Sequence, residues 1–236
     1  MNYVFDSSVF IYSHYHLLKT IGGDISPKAV AQGIEKQMGR IVLELKLGQP
    51  KEILIAFDHE EECFRKKIDP QYKANREYSL PFQKSEVHEH MSYDTLRHPG
   101  MEADDLMFLY SRKYPGTIIV TDDSDQIQNV DDNTRVYLYK KKLLLDLGNS
   151  NPAVSLFEKI LLGDKGDNIP KCVATGKLKL NKIPELLKLK GVQHVLTLYQ
   201  NQLDLDRYLL NSALIQYDFK LYQEYFFDFD KIYDSI

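Results

Sequence analysis

Several features that define whole classes of protein are absent from this chain. It has no tryptophan, and its two cysteines, Cys63 and Cys172, form neither a CxxC motif nor a Cys/His finger pattern. We therefore expect two reduced thiols rather than a disulfide framework or a structural zinc site. No apolar run approaches the roughly 20 residues that span a bilayer, and the amino terminus shows no signal-peptide pattern. The sequence predicts a cytoplasmic protein that does not contact membranes.

The size of the chain fits one large α/β domain, or one such domain with a smaller helical appendage. Of its 236 residues 43% are hydrophobic, which is enough for a packed core, and the formal net charge is −4. Nine of the acidic residues fall in the clusters described below, so the rest of the molecule is mildly basic. The acidic balance therefore does not argue against a nucleic-acid partner.

Apolar runs alternate with helical patterns over the first 150 residues. The runs predict buried strands at 2–6, 52–57, 117–121 and 134–139. Helical spacing and end signals predict helices at 7–19, 27–47, 102–113 and 123–130. After a turn cluster at Asn149–Pro152, the pattern is helical in segments 153–162, 181–199 and 204–225. The alternation predicts an α/β fold with a mostly parallel sheet over 1–150 and a helical region over 151–236.

Nine carboxylates form six short, separated clusters. Asp6, Asp58 and Asp123 each follow an apolar run, in YVFD, ILIAFD and TIIVTDD. A carboxylate just past such a strand lies at the carboxyl edge of the sheet, where open α/β sheets bind ligands. The other six are Glu102, Asp104, Asp105, Asp125, Asp164 and Asp167. Converging carboxylates repel each other unless a cation lies between them, and all-oxygen ligands favour Mg²⁺ or Mn²⁺ over zinc.

Simpler interpretations of these acidic clusters stay open. Glu102 to Asp105 can favour the dipole of a helix that begins there, and the acids after residue 121 can form a capped turn. A calcium loop is excluded, because Gln128 stands at the sixth position from Asp123, where glycine is required. The GDKGDNIP string can also be an ordinary turn, and Lys171 at the position of a required glycine excludes a phosphate-binding P-loop.

Basic residues flank the acidic clusters. They include YKANR (Tyr72–Arg76), the run from Arg65 to Lys67, Lys140–Lys142, and the lysines of the 163–182 segment. A single lysine run is usually a solvated face, but several runs beside an acidic cleft fit contacts to a phosphate backbone. His88 and His90 form an HxH pair without a third zinc-type partner nearby, so we do not expect them to bind a metal.

Six motifs in order resemble the 5′-nuclease superfamily, which comprises flap endonucleases, the 5′-nuclease domain of bacterial DNA polymerase I and phage 5′→3′ exonucleases. The motifs are VFDSS, AFD, FRKKIDPQYKANR, MEADD, IVTDDSDQIQ and LLGDKGDNIP, and they extend from residue 2 to residue 170. The chain most resembles the compact phage type called ribonuclease H, which removes RNA primers. The resemblance implies a PIN-like α/β domain with a short helical arch at about 60–98, followed by a helix–three-turn–helix region.

The resemblance also assigns roles to individual residues. Asp6, Asp58, Glu102, Asp104 and Asp123 would surround one Mg²⁺ or Mn²⁺ ion, and Asp105, Asp125, Asp164 and Asp167 would serve a second. Lys73 and Arg76 would be catalytic and grip the scissile phosphate, and Tyr72 could stack on a base. The remaining substrate contacts would be Arg65, Lys165, Lys171 and Lys177.

Two departures from the family pattern bear on the substrate. The family follows DNIP with a glycine hairpin, GVPGIG, that grips duplex DNA and often uses K⁺, whereas this chain has the residues Lys171–Gly176. A K⁺ ion at the helical region is therefore an open expectation. The short arch favours exonucleolytic trimming over endonucleolytic threading.

The expected function is metal-dependent 5′→3′ exonuclease or flap endonuclease activity on branched or nicked DNA and RNA–DNA hybrids. In a phage-infected or bacterial cell it would remove RNA primers during DNA replication. Expected partners are DNA with a 5′ flap, nick or RNA primer, together with a replication clamp or single-strand-binding protein, and we expect a monomer. Two alternatives stay open: a catalytically weak, structure-specific DNA-binding protein and a PIN-type single-strand ribonuclease.

Overall fold

The computed structural model describes residues 1–77, 79–174 and 182–236. The chain divides into two compact structural units. The sheet unit comprises Met1–Cys63, Tyr78–Ser150 and Phe227–Ile236, and the helical unit comprises Phe64–Glu77 and Asn151–Phe226. The main division after residue 150 coincides with the turn cluster in the sequence. The arch at about 60–98 stays a prediction, and within that range Phe64–Glu77 belongs to the helical unit.

The centre of the sheet unit is a six-stranded sheet in the order β3-β2-β1-β4-β5-β6. The strands are β1 (Asn2–Asp6), β2 (Glu52–Ala56), β3 (Asp94–Leu96), β4 (Thr117–Thr121), β5 (Thr134–Leu138) and β6 (Leu143–Leu145). Neighbouring strands are parallel except β5 and β6, which are antiparallel. The predicted α/β class with a mostly parallel sheet is confirmed. The sequence analysis missed β3 and β6, because three-residue strands are too short to show a period.

The strand register places the predicted acidic residues at one edge of the sheet. β1 lies between β2 and β4, with Asp6 opposite Ala56 and Phe5 opposite Val120. Asp58 follows β2 by two residues and Asp123 follows β4 by two residues. Because all three strands are parallel, their carboxyl ends meet at the same edge.

Helices cover the sheet. Those of the sheet unit are α1 (Ser7–Thr20), α2 (Pro27–Leu45), α4 (Lys84–His88), α5 (Ala103–Lys113) and α10 (Phe229–Ser235), with a 3-10 helix at Ser124–Asn129. The side chain of Ser26 caps α2 by accepting from the backbone N–H of Ala29 (3.3 Å), and Pro27 begins the helix. Apolar faces of α1 and α2 pack on β1 and β2 in one continuous core.

The helical unit contains α3 (Arg65–Ile68), α6 (Pro152–Leu162), α7 (Ile183–Tyr199), α8 (Leu205–Ile215) and α9 (Phe219–Tyr225). Gly191 interrupts α7 with a φ of 77°. A second core joins α6 to α7 through buried side chains that include Leu161, Ile183 and Val195. After α6 the chain turns at Gly163 (φ 71°), where a Cβ atom would collide with the Ile169 carbonyl, so only glycine fits.

Both cysteines are free thiols, in agreement with the sequence analysis, and Cys172 is buried. In the described ranges, no helix is sufficiently long and apolar to cross a bilayer.

Candidate active site

Asp6 is the last residue of β1, at the carboxyl edge of the sheet, and it is 4% exposed. Its Oδ1 atom caps α1 by accepting from the backbone N–H of Ser8 (3.0 Å), and its Oδ2 atom accepts from the Thr121 hydroxyl (2.8 Å). Burial raises the pKa of the Asp6 carboxyl to about 6, the hydrogen bond from Thr121 opposes the rise, and the nearby charges of Asp123 and Asp58 add to it. Asp6 is thus rigidly held in an environment that penalises negative charge.

Asp58 links three elements of the sheet unit. Its Oδ1 atom accepts from the backbone N–H of Ala103, in the first turn of α5 (2.9 Å). Its Oδ2 atom accepts from the Ser8 hydroxyl (3.1 Å) and from the ammonium of Lys84 (2.5 Å). The orientation of this carboxylate is therefore fixed by contacts on both oxygen atoms.

The EADD group opens α5, as the sequence analysis predicted. Asp105 is fully buried and its Oδ2 atom accepts from the backbone N–H of Glu102 (3.0 Å), in the manner of a capping box. Asp104 Oδ1 accepts from the amide nitrogen of Gln126 (2.8 Å), which is itself buried and hydrogen-bonded to Asn129. The simple interpretation as helix-capping acids thus holds for Asp105, whereas Asp104 is positioned from a separate element.

Asp123 and Asp125 follow β4 in a capped turn. Asp123 Oδ1 accepts from the backbone N–H of Asp125 (2.8 Å) and begins the 3-10 helix. The backbone N–H of Asp123 donates to the hydroxyl of Thr121 (2.9 Å), which in turn donates to Asp6. Thr121 therefore joins two predicted metal ligands through one oxygen atom.

Seven of the nine predicted metal ligands belong to the sheet unit, and their chemistry fits a divalent cation. All donors are carboxylate oxygens, the type that Mg²⁺ and Mn²⁺ prefer, and Asp6 is close enough to Asp58 and Asp123 for their charges to raise its pKa. In the conformation of the described residues, however, no group of three or more His, Cys, Asp or Glu side chains is gathered closely enough to hold a metal ion. The side chains are held instead by the hydrogen bonds above and by Lys84.

Lys84 was missed by the sequence analysis. It is the first residue of α4, and its ammonium contacts Asp58 Oδ2 (2.5 Å) and the Ser8 hydroxyl (2.7 Å). Burial alone would lower the pKa of Lys84, but the charge and hydrogen bond of Asp58 outweigh it and leave the pKa above its usual value. A lone lysine 26 residues beyond Asp58 gives no local sequence signal, since only the fold brings the two together.

The other two predicted ligands, Asp164 and Asp167, lie in the turn after α6 in the helical unit. Asp164 Oδ2 accepts from the ammonium of Lys159 (2.6 Å) and Oδ1 accepts from the backbone N–H of Gly166 (2.8 Å). Burial raises the pKa of Asp164, but the contacts from Lys159 and from backbone N–H groups outweigh it and hold the pKa below its usual value. This carboxyl is therefore charged at neutral pH.

Asp167 pairs with the YKANR segment. Its carboxylate accepts from the guanidinium of Arg76 and from the Tyr72 hydroxyl (3.3 Å), and the ammonium of Lys73 lies 3.8 Å from Oδ2. Backbone contacts reinforce the pairing, because the N–H of Lys73 donates to the carbonyl of Asp167 (2.9 Å). The two predicted catalytic cations are thus brought to a predicted metal ligand, although they are about 90 residues apart in sequence.

Two predicted substrate contacts need correction. Arg65 is 2% exposed, its Nε atom donates to the carbonyl of Leu214 (2.9 Å), and its guanidinium lies over the ring of Phe64 (4.7 Å). Tyr72 is 3% exposed, so its ring has no open face on which a base could stack. A buried guanidinium that donates to a carbonyl and lies over an aromatic ring supports the core of the helical unit.

The corrected role of Arg65 predicts a loss of stability. Arg65→Gln should lower the free energy of unfolding by about 2 kcal/mol or more, because the carbonyl of Leu214 loses its buried donor. Urea unfolding monitored by circular dichroism measures the change. Lys67, which is exposed, provides the nearby control Lys67→Gln, whose free energy of unfolding should lie within about 0.5 kcal/mol of the wild type. Unchanged stability of Arg65→Gln would restore a surface role for this residue.

Three further lysines were predicted to contact the substrate, and the structure describes two of them. Lys165 and Lys171 are exposed in the turn after α6, where a phosphate could reach them. Lys177 lies outside the described residues. These lysines stay predictions.

Comparisons with known proteins agree with this architecture. Residues 1–152 match the family model described as 5′-3′ exonuclease, N-terminal resolvase-like domain. A 5′-3′ exonuclease of Buchnera aphidicola is 26% identical over 215 residues, which are 84% of this chain and 72% of that protein. DNA polymerase I of Lactococcus lactis is 32% identical over 152 residues, which are 55% of this chain and 17% of the polymerase. The match with the polymerase thus spans less than a fifth of its length.

Solved structures share this fold. The 5′-exonuclease of bacteriophage T5 with bound zinc superimposes with a TM-score of 0.71 at 15% identity, covering 99% of this chain and 97% of that chain. The flap endonuclease of the same phage, solved with DNA and metal ions, gives a TM-score of 0.68 at 16% identity, covering 99% and 96%. With the sheet order and the matched family model, this confirms the PIN-like fold class. The chain therefore belongs to the family of 5′-3′ exonuclease N-terminal, resolvase-like domains, within the 5′-nuclease superfamily.

Proposed function

We propose that this protein is a divalent-metal-dependent 5′-nuclease that hydrolyses phosphodiester bonds in branched or nicked nucleic acid. The observation that carries the proposal is the meeting of Asp6, Asp58 and Asp123 at the carboxyl edge of the parallel sheet, where burial and mutual repulsion raise the pKa of Asp6 to about 6. Charges held together at such a cost are typical of functional sites. The names of its relatives, a 5′-3′ exonuclease and DNA polymerase I, support the same activity.

Two groups of carboxylates would hold the ions. The first comprises Asp6, Asp58, Glu102, Asp104 and Asp123, and the second comprises Asp105, Asp125, Asp164 and Asp167. Bound Mg²⁺ or Mn²⁺ would supply an activated water and neutralise charge on the phosphate. Relatives in the T5 structures were solved with metal ions, in agreement with this cofactor class.

The residues of this chain would position the reacting groups and balance charge. Thr121 and the amino terminus of α1 hold Asp6, and the backbone of Ala103 holds Asp58, so the protein itself fixes the orientation of these two carboxylates. Lys84 would present a cation at this edge, where it can neutralise a phosphate oxygen. In the helical unit, Lys73 and Arg76 would bind phosphate, with Asp167 fixing their positions before the substrate arrives.

The substrate we propose is a 5′ strand paired with a template, either an RNA primer or a DNA flap, during phage or bacterial DNA replication. Primer removal is favoured by the resemblance to the compact phage type, and exonucleolytic trimming by the short segment between the YKANR motif and α4. A monomer would suffice, and a replication clamp or a single-strand-binding protein could recruit it.

Cleavage of three labelled substrates tests the proposal: a 5′ flap, a nicked RNA–DNA hybrid and a plain single strand, each with Mg²⁺ and with EDTA. We expect metal-dependent 5′ products from the flap and the hybrid, and their relative rates rank the substrates. Cleavage of the single strand alone would favour the PIN-type ribonuclease.

A second candidate is a structure-specific DNA-binding protein with little catalysis. It is favoured by the ion pairs Lys84–Asp58 and Arg76–Asp167, which compensate predicted metal ligands within the protein itself. Tight binding to the flap junction without cleavage in Mg²⁺ or Mn²⁺ would establish this function instead.

A further inference from the structure

Lys84 lies against a carboxylate that the proposed function assigns to a metal ion. The ammonium is 2.5 Å from Asp58 Oδ2 and 2.7 Å from the Ser8 hydroxyl, and the side chain is only 19% exposed. Its charge also acts on Asp6, where it slightly opposes the rise in pKa that burial causes. One cation, the Lys84 ammonium, therefore already lies beside the carboxylates at the carboxyl edge of the sheet.

The contacts of Asp58 set the lysine and a metal ion in competition for the same carboxylate. Oδ1 accepts from the backbone N–H of Ala103, one of the donors at the start of α5 that have no partner within the helix. Rotating the carboxylate away would leave this donor unpaired. The Oδ2 atom that Lys84 contacts is then the oxygen a metal ion would share with the lysine, and two cations at one oxygen repel each other.

The position of Lys84 in the chain allows it to leave. It is the first residue of α4, which is fixed by buried Val87 and by the backbone N–H of Gln83 bonded to Glu86. The helix can therefore stay in place while the four-carbon side chain changes rotamer. Tyr12, whose ring centroid lies 5.9 Å from the ammonium, offers an adjacent surface.

We propose that Lys84 is an internal competitor of the divalent metal ion: it neutralises Asp58 in the metal-free protein and is displaced when the ion binds. The inference rests on the proposed function, because it requires a metal at this edge. Binding of the metal ion would release the Lys84 ammonium from Asp58. The positive charge of Lys84 would then be available to an anionic ligand only in the metal-bound protein.

Isothermal titration calorimetry with Mn²⁺, on the full chain without DNA, tests this competition. Lys84→Gln should bind Mn²⁺ roughly tenfold more tightly than the wild type, since neighbouring charges at this distance change ionic equilibria by about 10- to 1000-fold. The matched control is Lys140→Gln, which removes the same charge beside Asp122 (3.4 Å) at the same end of the sheet. Its Mn²⁺ affinity should change by less than about threefold, because exposed pairs are screened.

The outcomes separate this inference from the proposed function. If the wild type binds Mn²⁺ and Lys84→Gln binds it no more tightly, the competition is overturned and the metal site stands. An equal gain in Lys140→Gln would likewise overturn it, in favour of a general effect of net charge. If no variant binds Mn²⁺, the proposed metal-dependent function fails and the competition fails with it.

A measurement on the unaltered protein avoids any effect of the substitution on folding. In protein labelled with ¹³C-lysine, the Cε–Hε resonance of Lys84, assigned by its loss in Lys84→Gln, should move as Mg²⁺ is added and saturate with binding. The Lys140 resonance should stay nearly constant. A Lys84 resonance that does not move at saturating Mg²⁺ would overturn displacement.

Discussion

Asp123→Asn is expected to lower the rate of metal-dependent cleavage by roughly 10²–10³-fold, the size of effect seen when one preorganised electrostatic contact is lost from an active site. The fold should survive, because asparagine keeps the Oδ1 atom that accepts from the backbone N–H of Asp125. The Thr121 hydroxyl also keeps its contact with the backbone N–H at position 123. The loss would therefore report on the charge at this position.

Single-turnover cleavage of a 5′ flap substrate, with DNA affinity measured in parallel, checks this result. The control is Asp122→Asn, which removes the adjacent charge while its Oδ1 atom can still accept from the backbone N–H of Lys140. We expect that variant to keep activity within a few-fold of the wild type. Near wild-type cleavage by Asp123→Asn would refute its assignment as a metal ligand.

Asp6→Asn is expected to stabilise the metal-free protein at neutral pH while abolishing activity. The folded-state pKa of about 6 lies above the ordinary 3.8, so the folded protein favours the protonated form. The stability linked to this group is full below about pH 3.8 and is lost as the pH rises through 6. At pH 7.5 the charged carboxylate costs about 3 kcal/mol, at 1.36 kcal/mol per pKa unit, and asparagine removes that cost while still capping α1.

Urea unfolding in EDTA at pH 4.0 and pH 7.5 measures this effect. The free energy of unfolding of the variant should exceed that of the wild type by about 2–3 kcal/mol at pH 7.5 and by much less at pH 4.0. Saturating Mg²⁺ should narrow the difference, because the ion stabilises the wild type that binds it. Exposed Asp94 supplies the control Asp94→Asn, expected within about 0.5 kcal/mol at both pH values. A variant less stable than the wild type at pH 7.5 would show that Asp6 is not under repulsive strain.

The two expected results describe one site in which stability is given up for function. Asp6 is buried and is repelled by the charges of Asp58 and Asp123, and Lys84 compensates the charge of Asp58. Removing a charge should therefore help folding and harm catalysis, as is common when active sites are compared with the rest of a protein.

Several features of the fold are encoded in local sequence patterns. Apolar runs predicted β1, β2, β4 and β5, and in a parallel sheet the residues that follow those strands must share an edge. Asp6, Asp58 and Asp123 could be placed there without any knowledge of packing.

Other features depend on contacts between distant residues. Arg65 reads as part of a basic run, but a carbonyl 149 positions away and the ring of Phe64 place it in a core. Tyr72 reads as an aromatic in a nucleic-acid-binding motif, yet packing buries it beside Asp167. A local motif specifies residue types but not their solvent exposure. It therefore cannot distinguish a residue that contacts the substrate from one that packs in the core.

By itself, the sequence determined the family, the α/β class and the edge of the sheet at which the acidic residues gather, because strand direction and side-chain charge are local properties. Only the tertiary structure decided how those charges are balanced. Lys84 reaches Asp58 and Ser8 across 26 and 76 positions, and Asp167 binds Arg76 across 91. Charge compensation depends on distances of a few ångströms, and those distances are set when the whole chain packs.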